Sequence, residues 1–128
     1  MEALAVRAVV HAEYVEIVFQ GDIDPESLAG FGNENPRAIP AVMRHGRVLF
    51  DFSGVKRFGF DPLTLGDQMK RLSGEGLRLA ICSNSPEFFG VGRQIAQFSG
   101  VEGEAIAVFH SRDEARAWLL GEGDGETA

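Results

Sequence analysis

The stretch that decides the fold is LRLAICS, which runs from Leu77 to Ser83 and is almost entirely apolar. A short apolar run of this kind is typical of a central strand that is covered on at least one face. A helix pattern begins before it at Asp61-Pro62, and another begins after it at Ser85-Pro86. In both cases a capping residue precedes a proline, which is the usual start of a helix. A strand between two such helices predicts a sheet with parallel neighbours.

The same alternation extends in both directions along the second half of the chain. Upstream, RVLFDFS from Arg47 to Ser53 predicts a strand, with Val48, Phe50 and Phe52 on one face. Downstream, AIAVF from Ala105 to Phe109 predicts the last strand. Ser111-Arg112-Asp113-Glu114 is a capping box, which predicts that the last helix begins at Ser111.

The first half of the chain is less regular. An apolar run from Leu4 to Ala12 precedes an alternating run from Tyr14 to Gln20, and the two predict a hairpin. A short helix is expected from Asp24 to Leu28, and a second from Asn35, closed by Gly46. The fold class expected is α/β, with a mixed sheet of four to five strands, an N-terminal hairpin and helices mainly on one face.

Composition narrows the function classes. The 128 residues carry 19 acidic and 12 basic side chains, a net charge of −7, which argues against nucleic acid as a partner. No apolar run approaches the roughly 20 residues that span a bilayer, and no signal segment is recognisable, so we expect no membrane insertion and a cytoplasmic protein. We expect residues 1–120 to form a single domain and 121–128 a flexible acidic tail.

Three stretches resemble a known family. Asp51–Val55 (DFSGV) resembles a strand end, Phe89–Arg93 (FGVGR) a helix opening, and Val108–Leu119 a closing strand and helix of the STAS fold. That fold occurs in anti-sigma-factor antagonists and in the cytoplasmic domains of sulfate transporters. The resemblance covers Arg47–Leu120 and is greatest to the stand-alone, SpoIIAA-like bacterial domains. It implies a regulatory or protein-interaction domain.

One departure from the family bears on function. The antagonists carry a phosphorylatable serine at the start of the helix that follows the DFSGV-like strand. Here Phe58–Thr64 reads FGFDPLT and contains no serine, and Thr64 is the nearest hydroxyl. Asp61 occupies the cap position, where capping explains a carboxylate better than the imitation of a phosphate does. The phosphoserine switch is therefore not carried over.

No catalytic constellation is recognisable. The three histidines (His11, His45 and His110) have no metal-ligand spacing, and no nucleophile elbow or phosphate-binding glycine loop occurs. Asp51 is expected at a surface or edge position, and Cys82 is expected to be a buried, inert thiol. We therefore expect no cofactor, no metal and no enzymatic activity, with an unrecognised enzyme as the remaining alternative.

The candidate binding residues lie in two segments, Phe58–Thr64 and Ser83–Arg93. The turn Ser83-Asn84-Ser85 offers hydroxyl and N–H groups for an anion, although Ser85 as a helix cap and Asn84 as a turn residue explain it equally well. Several of the ten phenylalanines fall beside helix starts and could line a pocket or an oligomer face. The candidates are Phe60, Asp61, Thr64, Ser83, Asn84, Phe88, Phe89 and Arg93.

Two occupants remain open for these residues. One is a protein partner or a second copy of the chain, and the other is a small apolar or anionic ligand held between the two segments. A pocket of at least ~300 Å³ at that end favours the ligand, whereas a flat apolar patch favours the partner.

Overall fold

The computed structural model describes residues 6–23, 35–59, 61–74, 76–100 and 105–121. The strands are β1 (Val6–Val10), β2 (Val15–Ile23), β3 (Arg47–Phe58), β4 (Arg78–Cys82) and β5 (Ile106–Phe109). The helices are α1 (Ala38–His45), α2 (Pro62–Ser73), α3 (Pro86–Ser99) and α4 (Arg112–Leu119). The helix expected from Asp24 to Leu28, the candidate Phe60 and the tail beyond Gly121 lie outside the described residues.

The five strands form one mixed sheet in the order β1-β2-β3-β4-β5. β1 is antiparallel to β2, and β2 to β5 are parallel to their neighbours. The turn between β1 and β2 is closed by the His11 N–H, which donates to the Tyr14 carbonyl at 2.9 Å. The α/β class, the mixed sheet and the N-terminal hairpin predicted from the sequence are confirmed.

Strand alternation divides the core into two layers. Val48, Phe50 and Phe52 of β3 belong to the larger cluster, which also holds residues of α1, α2 and α3. Leu49 belongs to the smaller cluster, which holds Ala115 of α4. We call these two sides the three-helix face and the α4 face. Three of the four described helices therefore share one side of the sheet.

The first helix differs from the simplest interpretation of its pattern. The helical spacing of Ile39, Val42 and Met43 correctly predicts a helix, but Ile39 and Met43 are 61% and 58% exposed. Ala38 and Ala41 form the buried side instead, because a helix lying close to the sheet admits only small side chains. The chain leaves α1 at Gly46 as predicted, in the left-handed conformation that glycine allows.

β3 extends well beyond its partner β4. β4 pairs with β3 over Arg47–Asp51, whereas β2 pairs with β3 as far as Phe58. The ends of β2 and β3 therefore form a two-stranded ribbon above the carboxyl edge of β4. Two register shifts occur in this ribbon, and the Gly59 N–H closes it with a hydrogen bond to the Ile23 carbonyl.

Candidate functional site

An open groove lies beside the ribbon, at the carboxyl edge of the parallel strands. Its volume is about 440 Å³. β3 forms one wall, and the first turns of α2 and α3 form the other. The lining residues are Lys56, Arg57, Phe58, Pro62, Glu87, Phe88 and Val91.

The groove combines an apolar floor with a cationic rim. Phe88 is 6% exposed and belongs to the core, and Phe58 and Val91 pack against that core from its margin. Lys56 and Arg57 are exposed, and the nearest carboxylate to Arg57 is that of Asp22, at 3.9 Å. Such a rim attracts a negatively charged group, while the floor accepts an apolar one.

Asp61 and Thr64 serve the start of α2. The Asp61 carboxylate accepts the Leu63 N–H at 3.2 Å and the Thr64 hydroxyl at 3.1 Å. This is the capping role that the sequence favours over a phosphate-like one. Both residues are exposed, but neither is among the residues that line the groove.

Ser83 and Asn84 form the turn between β4 and α3. Ser83 is buried, and its hydroxyl accepts the Ser85 N–H at 3.2 Å, whereas Asn84 is exposed. The prediction that Ser85 caps α3 needs a correction. Ser85 occupies the cap position, but its side chain makes no capping hydrogen bond, because the Ser83 hydroxyl already holds this turn.

The remaining candidates lie on α3 and point in different directions. Phe88 turns into the core and lines the groove, whereas the half-buried Phe89 stacks on His110, with ring centroids 3.8 Å apart. Arg93 is exposed and does not line the groove. The structure thus places one of the described candidates, Phe88, in the groove wall.

A second cluster of polar groups lies on the α4 face. Glu16 of β2, whose side chain is 6% exposed, accepts two hydrogen bonds from the Arg112 guanidinium, at 2.7 and 2.8 Å. The ring of His11 lies 2.9 Å from the same carboxylate and stacks on Tyr14. The hydrogen bonds from Arg112 lower the pKa of Glu16 although burial opposes this, and the carboxylate in turn raises the pKa of Arg112.

Cys82 lies deeper on the same face. Burial, and next the charge of Asp51, raise the pKa of the Cys82 thiol to about 12. The thiol donates to Asp51 Oδ1 at 3.7 Å. The prediction of a buried, unreactive thiol is confirmed, because a nucleophilic thiol needs a lowered pKa.

The expected surface or edge position of Asp51 is wrong. Asp51 is partly buried in the central strand β3, where it pairs with Val18 on one side and Cys82 on the other. It lies where the pairing with β4 ends, and its carboxylate accepts the Ser53 N–H at 2.9 Å. The strand end leaves room for this local hydrogen bond, so a carboxylate is accommodated inside the sheet.

Sequence reasoning missed both walls of the groove and the Glu16–Arg112 pair. Glu16 and Arg112 are 96 residues apart, so no local spacing relates them. The alternation of β2 does place Glu16 on the same side as Tyr14, and that buried side was the available signal. Across the described ranges, no group of three His, Cys, Asp or Glu side chains could hold a metal ion.

No described helix is both long and apolar enough to cross a membrane. A comparison with models of known protein families found no match for the chain, and neither did a comparison with characterised proteins.

Proposed function

We propose that this protein is a non-enzymatic regulatory or interaction domain of the STAS-like type, without a phosphoserine switch, and that it recognises an anionic partner in the groove beside β3. The STAS-like assignment rests on the motifs at Asp51–Val55 and Phe89–Arg93, together with the mixed five-strand sheet. The unpaired thiol of Cys82 supports a reducing, cytoplasmic setting.

The groove is the observation that carries this proposal. It opens between Phe58–Thr64 and Ser83–Arg93, the two segments in which the sequence concentrates candidate binding residues. Ligands of open α/β sheets commonly bind outside the carboxyl ends of the strands, which is the position of this groove. Lys56 and Arg57 give its rim a positive charge in a chain whose net charge is −7.

The state of the reactive side chains supports binding rather than chemistry. The Cys82 thiol has a raised pKa and lies in the core, so little thiolate forms at neutral pH. The Glu16 carboxylate has a lowered pKa and is bound by Arg112, which makes it a poor general base. These groups are occupied in holding the α4 face together.

A small-molecule carrier or sensor is the second candidate. The groove, at about 440 Å³, exceeds the lower limit of roughly 300 Å³ for ligand sites. An apolar floor beside two cations suits a small amphipathic anion. Self-association is a further form of the first candidate, because Leu63 and Phe98 expose apolar side chains on α2 and α3.

Native mass spectrometry of the protein purified from its own host tests the proposal. The wild type is compared with Lys56→Glu, which reverses a charge on the groove rim, and with Arg44→Glu, which reverses an exposed charge on α1. We expect a co-purifying protein or small molecule that is lost from Lys56→Glu and kept by Arg44→Glu. The same bound species and subunit mass in all three proteins would contradict the proposal.

A further inference from the structure

The wall that β3 gives to the groove is a strand edge. Phe58 packs against the core on the three-helix face, whereas Lys56 and Arg57 are exposed. Successive side chains of a strand leave it on different sides, so a groove lined by all three residues runs along the edge between those sides. Main-chain N–H and C=O groups lie at such an edge.

This edge borders the place where the sheet stops. On its other edge, β3 pairs with β2 as far as Phe58, and the ribbon stays extended. On the groove side, the described pairing with β4 ends at Asp51, because the chain after Cys82 turns through Ser83 into α3. The groove therefore occupies the position that a further strand beside β3 would take.

We infer that this groove binds an extended acidic peptide segment of a partner protein, which adds to β3 as a short strand. The inference rests on the proposed function and names the class of its partner. In strand addition, main-chain hydrogen bonds supply affinity, and pockets for alternate side chains supply specificity. Here Phe88 and Val91 receive an apolar side chain, and Lys56 and Arg57 receive carboxylates.

Charge selects this occupant over a second copy of the chain. If two copies of this edge paired, the Lys56 and Arg57 side chains of one would approach those of the other, and like charges across a strand pair destabilise it. An acidic segment meets the opposite sign. Glu87 lies on the facing wall, so the carboxylates of the peptide should point towards β3 and its apolar side chain towards α3.

The contact is short. Lys56, Arg57 and Phe58 span about 10 Å of strand. A segment of this length makes few main-chain hydrogen bonds, so we expect weak binding that depends on salt.

The first experiment uses an immobilised library of short peptides with acidic and apolar residues alternating. We expect the protein to be retained by members of this library and not by the matching library in which lysine replaces the acidic residues. One retained peptide is then labelled with fluorescein and titrated with the protein by fluorescence anisotropy. Methylation of its central backbone nitrogen removes a hydrogen-bond donor without changing charge, and should weaken binding about fivefold to tenfold.

The same titration is repeated with two protein variants. Lys56→Glu should weaken binding of the peptide at least about tenfold, because the rim then repels it. Arg44→Glu makes the same charge change on α1 and should leave the affinity unchanged. Circular dichroism of both variants verifies that they are folded.

The outcomes separate this inference from the proposed function. Failure of the acidic library to retain the protein overturns strand addition, as does a methylated peptide that binds as well as its parent. If Lys56→Glu nevertheless loses the species bound in the host, the groove is a binding site for a small anion and the proposed function stands. If Lys56→Glu keeps that species, both proposals fail.

Discussion

The guanidinium of Arg112, in the first turn of α4, holds both carboxylate oxygens of Glu16 on β2. Nε lies 2.7 Å from Oε2, and Nη2 lies 2.8 Å from Oε1. α4 packs on β3, β4 and β5 through Ala115 and Leu119, so this pair extends its attachment across the sheet to β2. A two-point contact of a guanidinium with a carboxylate also fixes orientation, and it thereby fixes the start of the helix.

Replacement of Arg112 by alanine should lower the free energy of unfolding by about 1–3 kcal/mol. The cost arises because the Glu16 carboxylate, which is 6% exposed, loses its main partner and keeps His11. The value stays below that of a fully buried pair, because the Arg112 side chain is 42% exposed and water screens it. Urea denaturation followed by circular dichroism measures the change.

Arg71→Ala is the matched control for this prediction. Arg71 pairs with Asp67 at 3.0 Å, but both side chains are more than half exposed. Its removal should change stability by less than about 0.5 kcal/mol. Equal losses from the two alanine variants would show that the pair on the α4 face adds nothing beyond an ordinary surface contact.

Acid should weaken the fold through Glu16. The hydrogen bonds from Arg112 hold the pKa of this carboxyl below its unfolded value of about 4.3. A carboxyl with a lowered folded pKa contributes stability above the unfolded pKa, and the contribution disappears as the pH falls through the folded pKa. Urea unfolding between neutral pH and about pH 3 should therefore show that the difference between wild type and Glu16→Gln shrinks on acidification. A difference that stays constant over that range is the opposing result.

Cys82 should react with thiol reagents only when the α4 face opens. Its side chain is fully buried and its pKa is raised to about 12, mainly by burial. Labelling at pH 8 should be far slower in the native protein than in denaturant. Leu119→Ala loosens α4 at a cost of about 2–5 kcal/mol and should speed labelling of the native protein. Asp51→Asn removes a lesser cause and should leave labelling slow, and rapid labelling of this variant would show that burial is not the main protection.

The strands were predictable because their pattern is local. Strict alternation in Tyr14–Gln20 and in Arg47–Ser53 gives the two faces of β2 and β3 correctly, and the apolar run at Leu77–Ser83 gives the central strand β4. Ser111 caps α4 as its capping box predicts, accepting the Glu114 N–H at 3.1 Å. In each case the residues that decide the element lie within one turn or one strand of it.

The groove was less predictable because it depends on strand lengths. The sequence places a strand end near Ser53, whereas β3 continues to Phe58 because β2 pairs with it that far. Nothing in the run GVKRF shows that β4 will end earlier and leave an edge open. The Glu16–Arg112 pair was hidden for a related reason, since only the packing of α4 against the sheet brings its members together.

Phe89→Asp should give a folded protein, and Phe88→Asp should not. The Phe89 ring is half-buried and stacks on the exposed His110, so a carboxylate there can reach water, at a cost of about 1–2 kcal/mol. Phe88 is 6% exposed in the core, where a carboxylate would be desolvated at a cost of more than about 4 kcal/mol. Thermal unfolding followed by circular dichroism distinguishes the two variants.

The folded Phe89→Asp protein also tests whether this ring takes part in binding. Light scattering and native mass spectrometry compare its mass and its bound species with those of the wild type. We expect self-association or ligand content to change, because the substitution alters an exposed part of the edge near α3. An unchanged mass together with unchanged ligand content removes Phe89 from the binding surface.

Close contact between α2 and α3 depends on Gly66. A Cβ at this position would lie 2.6 Å from the Cβ of Phe98 and 2.7 Å from the carbonyl oxygen of Ile95. The second contact is with main chain, so a shift of a flexible side chain cannot relieve it. Gly66→Ala should therefore destabilise the protein by about 1–3 kcal/mol although alanine favours helices, because the two helices must separate.

Gly90→Ala makes the same chemical change in α3 without the contact. Gly90 is exposed, and a Cβ there meets nothing within 4 Å. Its replacement should stabilise the protein by about 0.5–1 kcal/mol, because alanine loses less conformational entropy than glycine on forming a helix. Urea denaturation of the two variants should thus show shifts of opposite sign. If both variants are more stable than the wild type, the distance between α2 and α3 is not set by Gly66, and the packing described for the three-helix face is wrong at that point.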